Sequence, residues 1–194
     1  MNFSDLSNIP VIIIMGASLI VLVSQDWRSF IIAIAIQYLG VFLLTATVWP
    51  LGLAAIKLIV GWIAGSVIGA SQPNFHQQED AFLGPSGSLF RVLAAGMMWL
   101  LVFSMAPILT DWFPAGLQIM WGGLILIGLG MLQLGISTYT MRVVVGLLTV
   151  LAGFEIIYAA VETSVLVAGL LALVNLGLTL TGIYLLGSPR ESET

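Results

Sequence analysis

The chain has no cysteine and a single histidine, His76. Disulfides, thiolate nucleophiles, iron-sulfur clusters and cysteine-bound zinc are thereby excluded, and one histidine does not make a haem or metal centre. Charge is nearly as scarce: 7% of residues are Asp, Glu, Lys or Arg, against about 25% in a soluble domain. Only five are Lys or Arg, and the formal net charge is -4, so no phosphate-neutralising surface for nucleic acid is available. What fills the chain instead is apolar: 60% of its 194 residues are hydrophobic and its mean hydropathy is +1.14. Such a chain has the lipid bilayer as its solvent, with material for roughly seven spans of about twenty residues.

The apolar runs predict an all-α polytopic membrane protein with seven transmembrane helices, over 9–23, 29–48, 51–70, 91–109, 117–136, 141–161 and 164–187. Asp5, with no Lys or Arg near it, precedes the first run, so a retained helix starting near Asn8 or Pro10 is expected rather than a cleaved signal peptide. Trp49 and Pro50 mark a turn, because Pro cannot continue a helix interior. Between 71 and 88 the composition changes to Gln, Asn, Glu, Asp, Pro and Gly, a polar loop. Seven spans put Arg28, Arg91, Arg142 and Arg190 on one face, which the positive-inside rule makes cytoplasmic. The expected topology has the N-terminus outside, the C-terminus and the 71–88 loop inside.

Shifted by 113 residues against itself, the chain aligns Ser24 with Ser137, Gly40 with Gly153, Ala46 with Ala159 and Val48 with Val161. Leu53 with Leu166, Ala55 with Ala168, Leu58 with Leu171 and Gly69 with Gly182 follow without a gap. Spans one to three thus map onto five to seven in the same orientation, a parallel repeat. The expected organisation is a first three-helix repeat (1–70), the polar loop (71–88), a linker helix (89–114) and a second repeat with a short tail (115–194).

A charge near the bilayer centre costs about 2.5 to 3.5 kcal/mol on insertion scales and needs a partner, water or a function. Lys57, about two turns into span three, and Glu155, about two turns from the outer end of span six, are the two such groups. Glu155 reads either as a proton-relay carboxylate or as a neutral carboxyl bonded to a neighbouring helix. Lys57 reads as a pathway group or as a side chain snorkelling to the interface. The two would pair if the repeats packed face to face. Gln37, Asn175, Thr179 and Thr181 either extend a polar file or serve as interhelical hydrogen-bond glue, and Glu162 sits at the outer boundary. Gly61 and Gly65, with Gly122, Gly123, Gly128 and Gly130, signal close helix packing. His76, Glu79 and Asp80 on the polar loop are too weak a set to predict a metal site, and no cofactor is expected.

The segment Gly153-Phe154-Glu155-Ile156-Ile157, followed by Ala159 and Ala160 and preceded by Arg142 in the cytoplasmic turn, resembles the Gly-Leu-Glu segment of the K subunit of bacterial respiratory complex I. The corresponding small component of the Mrp-type cation/proton antiporters belongs to the same three-helix family. With its doubled unit and Ala55-Ile56-Lys57-Leu58, the whole chain is similar to the longer hydrogenase-4 component E type. The resemblance implies a proton-path role for Glu155. The second mid-membrane glutamate of the K subunit has no counterpart near Asn175, and the Pro after the component E lysine is missing after Lys57.

One reading is thus a small membrane-arm subunit of a complex I-like, hydrogenase-like or Mrp-like assembly in the bacterial inner membrane. It would move protons or cations through an ion pathway of Glu155, Lys57, Asn175, Gln37 and Glu162. Another is a structural or assembly subunit that anchors larger membrane partners and docks a peripheral cytoplasmic subunit at the 71–88 loop. A third is an autonomous small transporter. No nucleophile-and-base cluster points to a catalytic centre, and redox chemistry, if present, belongs to partner subunits.

Overall fold

The computed structural model describes residues 3–24, 26–71 and 85–187. It contains seven α-helices: α1 (Phe3–Val23), α2 (Trp27–Thr45), α3 (Leu51–Ala70), α4 (Pro85–Thr110), α5 (Leu117–Ile136), α6 (Thr140–Val161) and α7 (Val165–Gly187). No strand occurs among the described residues. Helices α2 to α7 are long and apolar enough to cross a membrane, and α1 adds a shorter apolar stretch, Asn8–Val23. With every backbone bond made within its own segment, helices suit lipid, and the chain is a helical integral membrane protein. Most of the 71–88 loop, with His76, Glu79 and Asp80, and the tail with Arg190 lie outside the described residues.

The helix ends depart from the expected ones in three places; α2 ends at Thr45 rather than 48, where the chain already turns toward Pro50. Helix α1 begins at Phe3 and carries Pro10 inside it; a proline deletes one hydrogen bond, and near a helix end that loss is readily made good. Helix α4 begins with Pro85, six residues before Arg91, as a proline in the first turn has no bond to lose.

Several local contacts recur at the 113-residue offset between the two three-helix units. At the end of α1 the Ser24 amide donates to Ile20 O at 2.7 Å, and at the end of α5 the Ser137 amide donates to Gln133 O at 3.0 Å. The starts of α2 and α6 correspond in the same way, Phe30 N to Asp26 O and Val143 N to Tyr139 O, both 3.0 Å. Packing follows. A Cβ on Gly40 would meet the Ile14 side chain and Pro10 O, and one on Gly153 would meet the equivalent Ile127 and Gly123 O. Gly69 against Ile31 is likewise repeated as Gly182 against Val144.

Between the units, like packs on like: α1 against α5, α2 against α6 and α3 against α7. The second unit is therefore stacked on the first in the same helix order, while α4 lies to one side against α5 and α1. The tightest crossing is α5 on α6, where Gly123 opposes Gly153 and Gly130 opposes Gly146 with backbone nearly touching backbone. Small residues allow that approach, which supplies dispersion contacts where no hydrophobic drive exists between helices in lipid.

One end of the bundle gathers the arginines. Arg91 Nη1 donates to Leu22 O at 3.1 Å and Arg142 Nη2 to Ser24 O at 2.6 Å, so both guanidinium groups cap the last carbonyls of α1, where the helix dipole favours a cation. Gln133 Nε2 donates to Arg142 O at 2.8 Å. Arg91 and Arg142 are thus buried structural caps, not only loop charges.

Candidate functional site

Helix α3 starts at the turn made by Trp49 and Pro50, and its buried stripe runs through Ala54, Lys57, Gly61, Ala64 and Ile68. That stripe faces the second unit. Lys57 Nζ lies 2.8 Å from Glu155 Oε1 on α6, and both residues are buried. Asn175 on α7 donates its Nδ2 to the same carboxylate oxygen at 2.8 Å. Three helices from both units therefore converge on one oxygen.

Aromatic groups complete the surroundings. Lys57 Nζ stands 5.9 Å from the centroid of the Trp49 ring, within reach of a cation-π attraction. Trp49 is itself fixed from across the interface, its Nε1 donating to Glu162 O at 3.2 Å. Tyr38 on α2 is fully buried. Its ring lies flat on Gly61, where any Cβ would overlap it. Trp49→Phe keeps an aromatic face beside Lys57, removes the bond to Glu162 O and leaves part of the indole's volume unfilled. A stability loss of about 0.5–1.5 kcal/mol, the net value of one hydrogen bond, is expected in detergent unfolding.

Below this cluster lies a second polar contact between the units, Gln37 Nε2 donating to Thr149 Oγ1 at 3.2 Å. Thr149 is six residues before Glu155 on α6, roughly 9 Å along the axis, and Tyr38 adjoins Gln37 on α2. Among the described residues, Glu155 Oε2, Asn175 Oδ1, Gln37 Oε1 and the Tyr38 hydroxyl are buried without a hydrogen-bond partner. Buried polar groups in finished structural networks are nearly all satisfied. All four lie along the interface between the two units, where each oxygen can still accept a hydrogen bond and the Tyr38 hydroxyl can also donate one.

The structure thus joins Lys57, Glu155 and Asn175, and sets Gln37 one step away. Glu162 is different: its side chain is exposed beyond the end of α6 and only its carbonyl meets the site. The hydroxyls of Thr179 and Thr181 donate to Asn175 O and Gly177 O in their own helix, the usual back-bond of a helical threonine, rather than to a neighbouring helix. Tyr38, Trp49 and Thr149 belong to the site without having been singled out for it by sequence; the adjacency of Tyr38 to Gln37 was the available signal. No group of three or more metal-binding side chains occurs among the described residues. No known protein family, curated protein or solved structure matches the chain.

Proposed function

We propose that this chain is a small membrane-arm subunit of a multi-subunit complex I-like, hydrogenase-like or Mrp-like assembly, and that Glu155 with Lys57 carries one step of proton or cation translocation. The observation that carries this reading is the buried Lys57–Glu155 pair at 2.8 Å between the two units. Removing two charges from water costs several kcal/mol per ion, so a buried pair is poor value as a mere fastener. Support also comes from the resemblance of the Gly153 to Ala160 segment to the K subunit and of the Lys57 region to component E. In this reading the arginine end of the bundle faces the cytoplasm of a bacterial inner membrane.

The pair would act as a unit. A proton arriving at Glu155 cancels the attraction that holds Lys57, so that the charge state of each group is coupled to that of the other. Tyr38 and the Gln37–Thr149 contact lie on the arginine side, and Trp49 lies on the opposite side. With Lys57 already occupying the carboxylate, a proton fits this site better than a metal cation.

Glu155→Gln keeps the acceptor for Asn175 and the shape of the side chain while deleting the titratable group. In the intact complex it should abolish or strongly slow coupled ion movement with the subunit still assembled. Unchanged pumping by an assembled Glu155→Gln complex would remove the pathway reading and leave a structural strut anchoring larger partners.

A further inference from the structure

The stacking of like helices makes the interface between the units heterologous: the face that the first unit presents is not the face that the second unit presents. Such an interface leaves one unused copy of each face at the two ends of the stack. On the second unit, the inward face contains Thr149, Asn175 and Thr179, exposed by 2%, 1% and 1%. Their equivalents on the first unit, Ile36, Trp62 and Ser66, point away from the stack; Ile36 is 40% and Trp62 49% exposed, and Ser66 is exposed. A groove of about 280 Å³ opens there, lined by Ile31, Ala35, Trp62, Gly65 and Ser66. It occupies the place where, on the second unit, α6 and α7 receive α3.

The other end shows the reverse. Lys57, Gly61 and Ala64 on α3 are buried, whereas the equivalent Leu170, Val174 and Gly177 on α7 are exposed, Leu170 by 55% and Val174 by 46%. Helix α4 packs on α5 and α1 and leaves this stripe of α7 open. The chemistry of the two unused faces is matched. Where the internal interface has Lys57 on one side and Glu155 on the other, the outer faces have Leu170 and the half-buried Phe42, apolar against apolar.

We infer that the α2–α3 groove of the first unit is a docking site for the α7 face of a second copy of this chain, continuing the internal stacking from one molecule to the next. In that register Leu170 of one copy stands opposite Phe42 of the next as Lys57 stands opposite Glu155, and Val150 opposite Ile36 as Gln37 stands opposite Thr149. The inference does not depend on whether Glu155 moves protons, and it is tested without any transport measurement.

The chain has no native cysteine, so engineered thiols report cleanly. One full-length copy carries Leu170→Cys and another Phe42→Cys; they are combined in native membranes and treated with a short bismaleimide. A covalent dimer requiring both substitutions is expected, together with its loss when Gly177→Trp is added to the Leu170→Cys copy. A copy with Met97→Cys on the far side, on exposed α4, should give no dimer with Phe42→Cys. The inference is overturned if the Leu170–Phe42 pair yields no dimer, if it yields no more than the Met97 control, or if the Phe42→Cys copy is captured only by a different subunit.

Discussion

Lys57→Met alone is expected to lower the stability of the bundle by about 3–5 kcal/mol, because it leaves the Glu155 carboxylate buried without its cation. The double variant Lys57→Met with Glu155→Gln should recover most of that loss, since a neutral amide opposite an apolar side chain has no ion left to desolvate and still accepts from Asn175. Replacing a whole buried pair is often neutral or stabilising by about 1–4 kcal/mol. Reversible unfolding in mixed micelles, run as a double-mutant cycle, gives the coupling directly. A single-variant loss under about 1 kcal/mol, the range of exposed pairs, would mean that water reaches the pair and that its burial is not what holds the two units together.

Gly153→Ala is the second large effect. Its new Cβ would lie 2.5 Å from Gly123 O and 2.8 Å from Ile127 N, both backbone atoms that cannot rotate aside. Overpacking of this kind costs about 1–3 kcal/mol and occasionally more, and the upper part of that range is expected here. The offset between the units supplies the internal comparison. At the equivalent Gly40 the nearest atom is the Ile14 Cγ1 side chain at 2.7 Å and the Pro10 carbonyl is 3.4 Å away, so Gly40→Ala should cost less. Gly169→Ala, with nothing within 4 Å, should be neutral or slightly stabilising through helix propensity. Because Gly153 lies two residues before Glu155, the same substitution shifts α6 away from α5 and displaces the carboxylate from Lys57. Any order other than Gly153, Gly40, Gly169 in stability loss contradicts the close backbone crossing.

The helical membrane fold and the order of its spans were legible in the sequence because lipid imposes a crude demand, long apolar runs, that composition alone reveals. The glycines that align at the 113-residue offset, Gly40 with Gly153 and Gly69 with Gly182, meet equivalent neighbours in the structure. Lys57 and Glu155 stood out as the charges that the bilayer tolerates least. Their pairing was not legible, because it depends on how α3 and α6 are rotated. Helices that are apolar all round carry no amphipathic stripe from which to read that rotation. The same blindness grouped Glu162 with the pair, although its side chain lies beyond the helix end, and passed over Tyr38, which packs on the bare surface of Gly61 one helix away. Arg142 was counted for its sign, whereas its position is set by the carbonyl of Ser24, a backbone atom no residue pattern announces.

The order in which the pair is made has a consequence for biogenesis. Lys57 belongs to the third helix and Glu155 to the sixth, so during synthesis the cation reaches the membrane well before the anion that neutralises it. Until α6 arrives, the four-carbon stem of a lysine is long enough to carry a lone ammonium toward the headgroups. The Lys57–Glu155 pair is therefore completed only once the chain has been inserted through α6.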